Sequence, residues 1–161
     1  MFFSAIITSI RDRLLADTAS GGLNGTGSPI SGGVLSIVGS GGVQASPYIV
    51  IGFGATSNMS AFRAGRFALM PTITIYYKHN NESDRAWAAV DRIMGDSFIQ
   101  ANHLPTFGLN NWIGDTLTGI TGYTVETGGF IMQSIQPGDA ISDEQGVIVI
   151  TFSSSVSYRS S

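Results

Sequence analysis

Residues 2–16 place Phe3, Ile6, Ile7, Ile10, Leu14 and Leu15 at spacings of three and four, with Arg11, Asp12 and Arg13 mostly off that stripe, so the pattern predicts an amphipathic helix. The clearest helical pattern is NNESDRAWAAVDRIMGDSFIQAN at 80–102, where Trp87, Val90, Ile93, Met94, Phe98 and Ala101 recur on one face and Asp84, Asp91 and Arg92 on the other. Asn81 or Ser83 is the expected cap, with Glu82 and Asp84 in the first turn facing the positive end of the helix dipole. Gly95 costs about 1 kcal/mol against alanine in a helix interior, so it marks close packing or the onset of fraying.

Strand patterns fill the rest of the chain. PYIVIGFG at 47–54 opens on a proline where no ladder donor is needed and continues as an apolar run, the mark of a central strand covered on both faces. After the small, polar SNMSAFRAG comes RFALMPTITIYYKH at 66–79, rich in β-branched and aromatic residues, with a bulge or an edge expected at Pro71. YTVETGGFIMQSIQ at 123–136 and GVIVITFSSSVSY at 146–158 form a second expected hairpin whose turn is PGDAISDEQG, and Gly128-Gly129 indicates a bulge. Residues 103–121 read as a loop or a short, weakly pairing strand. The order helix, glycine-rich stretch, strand, strand, helix, strand, strand predicts an α+β domain: a mainly antiparallel four-stranded sheet with both helices on one face.

The stretch 18–46 stands apart, with nine glycines, no charge and one apolar island, VLSIV at 34–38. It reads either as a flexible linker with a short β segment or as an arm or hairpin that orders against a neighbouring subunit. A length of 161 residues fits one domain, 1–161, with that stretch inside it. Charged residues make up only 12 % of the chain against an ordinary quarter, which points to a surface covered in part by other subunits. Seven arginines and one lysine are scattered rather than clustered and the net charge is −3, so a dedicated nucleic-acid reader is not indicated. The apolar start MFFSAIITSI lacks a positive leading region and runs straight into Arg11, Asp12 and Arg13, so it reads as helix rather than signal core. No run of apolar residues is long enough to predict a membrane span.

Candidate chemistry is sparse. There is no cysteine, so thiolate metal sites and cysteine nucleophiles are excluded. The two histidines, His79 and His103, have no second ligand at metal spacing; a small hydrolase pairing one of them with an aspartate is the enzymatic alternative, and solvent-facing positions at element ends are the plainer reading. Asp139, Asp143 and Glu144 lack the offsets of a calcium loop and read as a solvated turn. The glycine strings lack the lysine and hydroxyl residue of a phosphate loop, so no cofactor is expected. Asn24, Asn58 and Asn81 begin glycosylation-type triplets, read as chance matches. Phe107 and Trp112 stand in a polar loop, where each either plugs the core edge or anchors a partner.

Taken together, the N-terminal helix, PYIVIG, TITIYYKH with its Asn-Ser-Asp helix start, AWAAVDRIM and the closing VIVITFSSSVSY resemble the tail terminator, or tail completion, proteins of long-tailed bacteriophages, from Phe2 to Tyr158. The resemblance implies a non-enzymatic virion protein of the phage neck, assembled in the host cytoplasm. It would form a ring, usually hexameric, at the head-proximal end of the tail, stopping tube polymerisation and docking on the head connector or stopper protein. Its partners would be its own copies, the tail tube protein and that connector, with genome DNA passing through the channel without specific binding and no membrane involved. The turns at 57–66 and 136–146 and the glycine-rich stretch are then the expected contacts, with Arg63, Arg66, Asp139, Asp143, Glu144, Phe107 and Trp112 as candidate interface residues. The alternative in the same class is another neck or tail component, such as a head-closure protein or a tail tube subunit.

Overall fold

A computed structural model describes residues 2–36, 45–53, 57–58, 66–78, 81–95, 109, 123–125, 130–142 and 145–158. In chain order these form α1 (Phe2–Leu15), β1 (Val34–Ser36), β2 (Tyr48–Phe53), β3 (Ser57–Asn58), β4 (Arg66–Leu69), β5 (Pro71–Lys78), α2 (Ser83–Met94), β6 (Tyr123–Val125), β7 (Ile131–Ser142) and β8 (Gln145–Tyr158). The fold is α+β, a sheet with the strand path β1-β2-β5-β8 and two helices against one of its faces.

The organising element is β8. Its 14 residues are long enough to take two partners in succession along each edge. Along one edge run β5 and then β4; along the other run β7 and then β6, all antiparallel to it. The four strands expected from sequence are therefore present, and two of them are divided. RFALMPTITIYYK breaks at Met70, just before Pro71, yet its register against β8 carries straight through, with Leu69 opposite Ser154 and Thr72 opposite Thr151. Pro71 has no N–H to donate, and at this point the outer neighbour changes from β2 to β3.

Register builds the core in rows. Val34, Ile49, Ile75 and Ile148 are aligned across β1, β2, β5 and β8, and Ile51, Ile73, Ile150 and Ile135 across β2, β5, β8 and β7. Onto this face pack Ile6, Ile7, Ile10 and Leu14 of α1 and Ala86, Ala89, Val90, Ile93 and Met94 of α2. The alternate residues Tyr48, Val50, Thr72, Thr74, Tyr76, Val147 and Val149 turn to the other face and are half-buried, with the Tyr48 and Tyr76 rings stacked at 5.0 Å. The PYIVIG strand is thus deeply buried on one face only, a correction to the expectation of cover on both.

Three further expectations change. The helix expected over 80–102 ends at Met94, because Gly95 takes φ +83°, with its N–H bonded to Asp91 O; residues 96–102 lie outside the described residues. Trp87 is 40 % exposed instead of joining the core stripe. The helix lies with Ala86 and Ala89 against the sheet, and small side chains there let its backbone come close. The turn expected at 136–146 is mostly strand: β7 continues to Ser142, bulged between Gly138 and Ser142, and the connection to β8 is 143–144.

From 18 as far as Ser36 the glycine-rich stretch packs on its own subunit. Leu23 and Ile30 are buried in the core cluster, and the expected β segment appears as β1, parallel to β2. Glycine is required where the chain crosses itself: a Cβ on Gly32 would stand 1.9 Å from Ala45 O, and Gly32 N–H donates to Pro47 O at 2.9 Å. Residues 37–44 lie outside the described residues.

Candidate interaction surface

Two polar junctions fix the helices that carry the surface. At the C-terminal end of α1, Asp17 is 1 % exposed. Its Oδ2 accepts from Arg92 Nε at 2.8 Å and from Leu23 N–H at 3.0 Å, and its Oδ1 accepts from Arg92 Nη2. One carboxylate thereby joins α1, the glycine-rich loop and α2. Asn24 adds to the same junction, donating from its side chain to Leu15 O and from its backbone to Asp17 O, both at 2.9 Å.

At the other end of α2, the cap position is held by Glu82, not by Asn81 or Ser83, and its side chain does not cap the helix. Its Oε2 accepts from Lys78 N–H at 2.7 Å and from Ser46 Oγ, tying the end of β5 and the start of β2 to the helix start. Burial alone would raise the Glu82 pKa; the hydrogen bonds from Ser46 and Lys78 N–H, together with the charges of Lys78 and Arg85, outweigh it and leave the carboxyl below its ordinary value. A folded pKa below the unfolded value of about 4.3 means that the contribution is complete above that pH and lost as pH falls through the folded value. Glu82→Gln should accordingly lose about 1–2 kcal/mol at pH 7, and the difference from wild type should close as pH is lowered from about 5 to 3. Urea titrations of both proteins across that range measure it, and a difference independent of pH would show that the carboxylate charge plays no part.

With those junctions in place, α2 turns a distinct face outward. Asp84, Trp87, Ala88 and Asp91 are all exposed and lie at i, i+3, i+4 and i+7, a single stripe along the helix. On the sheet, Ile131 at the start of β7 is 45 % exposed. It stands opposite Ser153, on the face away from the helices. Arg11, exposed on α1, donates from Nε to Val34 O at 3.1 Å, so its guanidinium is held beside the edge strand β1.

Of the candidates read from sequence, Arg66 opens β4 opposite Ser157, and Asp139 lies in the bulged part of β7 rather than in a turn. Arg63, Phe107, Trp112, Asp143 and Glu144 lie outside the described residues, as do His79 and His103. The register along β8 sets Arg66 at the Ser157 end and Asp139 beyond Gly138, which pairs Val147, toward the opposite end. Trp87 was missed because its spacing fits the core stripe as well as a surface one; the small residues Ala86 and Ala89 beside it are the signal that distinguishes the two. Among the described residues no group of three or more acidic or histidine side chains converges as a metal site would require. Among the described residues no helix is long and apolar enough to cross a membrane.

No family model matches the sequence, and no curated protein matches it either. Among solved structures, the chain is similar to one from the virion of a native gene transfer agent particle, with a TM-score of 0.60 at 15 % identity. The match covers 98 % of this chain and 99 % of that one, so the shared fold runs along essentially the whole length of both. At 15 % identity the likeness is one of fold.

Proposed function

We propose that this chain is a structural, non-enzymatic protein of a phage-like virion, forming a ring at the head-proximal end of a tail, ending tube polymerisation there and joining the tail to the head connector. The observation that carries this reading is the end-to-end likeness in fold to a virion component, over 98 % of this chain and 99 % of that one. Composition supports it as well: a chain with 12 % charged residues and a net charge of −3 suits subunits that cover one another around a channel through which DNA slides without sticking. The work of such a protein is done by surfaces, and in this reading its partners are its own copies, the tube protein and the connector.

Light scattering behind a sizing column tests the reading. Six copies of 16.9 kDa give a discrete species of about 101 kDa, the closed product of head-to-tail contacts. Charge reversal at Arg66 or Asp139 should lower the proportion of that species while leaving the circular dichroism of the subunit unchanged. Open polymers that grow with concentration would instead assign the chain to the tube, and a strictly monomeric chain that also fails to cap purified tubes would overturn the proposal.

A further inference from the structure

The outer stripe of α2 sets an indole between two carboxylates, Asp84 and Asp91, with Ala88 on the same face. Trp87 is 40 % exposed, and rotating α2 to bury it would lift Ala86, Ala89 or Ile93 from the core. Tryptophan in such a setting is the residue type that most often anchors an interface.

The matching chemistry is on α1. Arg11 is exposed, and its Nε is bonded to Val34 O, which fixes a guanidinium at the surface before any partner arrives. A fixed guanidinium loses little freedom on docking, stacks on an indole face and directs its remaining N–H groups to flanking carboxylates. The two features lie on different parts of the subunit. Arg11 is held at β1, the outer strand of the path, whereas α2 packs over β5, two strands inward.

From this complementarity we propose that the Asp84–Trp87–Asp91 stripe of one copy receives Arg11 of the next copy. The contact is head-to-tail, because the donor and the receiving patches differ, and such contacts close into a ring or run on as a filament according to the rotation between subunits. The proposal rests on the ring reading above and names the surfaces that would make the ring.

The test is the mass of the full-length chain by light scattering over a dilution series, for wild type, Trp87→Ala, Arg11→Asp, Asp84→Arg with Asp91→Arg, and the triple variant that combines both reversals. Trp87→Ala should raise the dissociation constant by about 30-fold or more. Each reversal alone should yield monomer, and the triple variant should associate more strongly than either reversal, because the swapped charges attract again. Every substituted side chain is exposed, so unchanged thermal unfolding of the monomers separates lost association from lost folding. A wild-type oligomer that persists in Trp87→Ala and in both reversals overturns this contact and leaves the ring reading standing, and the same holds if the triple variant stays monomeric. A wild-type chain that never associates, alone or on purified tubes, overturns both.

Discussion

Arg92→Leu should destabilise the subunit by about 3–5 kcal/mol, more than any exchange on the exposed faces of the helices. The reason is what the substitution leaves behind. The Asp17 side chain is 2 % exposed against 33 % for Arg92, so removing the arginine strands a carboxylate in the interior with one backbone N–H for company. Asp17→Asn is the milder change, about 1–3 kcal/mol, because the amide oxygen still accepts from Leu23 N–H and the partly exposed guanidinium can swing toward water. Combining the two should cost less than the sum of the single changes, since the stranded charge no longer exists in the double variant. Urea unfolding of the four proteins gives the coupling directly, and an Arg92→Leu cost below about 1 kcal/mol would show that the junction of α1, the glycine-rich loop and α2 is held by something other than this pair.

That junction also shows where sequence reading reaches its limit. Asp17 and Arg92 are separated by 75 positions, and no local pattern links them. Asp17 looks like an ordinary acidic residue at a helix end, and the loop that closes over it looks like a linker because glycine is abundant in flexible segments and in tightly packed ones alike. The difference at Gly32 is a clash with Ala45 O, which depends on where β2 lies and cannot be read locally. The periodic elements were legible because burial imposes its own spacing: α1 and the order of the long strands follow from runs at three and four or from β-branched clusters. Trp87 and the apparent turn at 136–146 went the other way for a shared reason. A helix stripe wide enough to include both Ala86 and Trp87 is resolved only by how closely the helix approaches the sheet, and a Pro-Gly-Asp sequence that signals a turn is tolerated in a bulged strand once a 14-residue partner runs alongside. For the candidate surface, sequence supplied the kind of chemistry, arginine, acid and exposed aromatic, and the fold supplied which residues share a face.

The alternation along β8 makes the second large prediction. Ile150 is fully buried, in line with Ile73 on β5 and Ile135 on β7, beneath the helices. Ile150→Ala removes three carbons from a row in which the flanking isoleucines belong to strands fixed by their own ladders, so the cavity cannot close and the cost should be about 2–5 kcal/mol. Val149, one residue earlier, turns to the opposite face between Thr74 and Gln136 and is only half-buried. Val149→Thr should therefore stay within about 1 kcal/mol, because the hydroxyl can reach water or those polar neighbours. Thermal unfolding at a concentration where the protein is monomeric compares the two substitutions on one strand under one set of conditions. Similar large costs at both positions would mean that the second face is buried as deeply as the first, and small costs at both would mean that β8 does not sit in this register between β5 and β7.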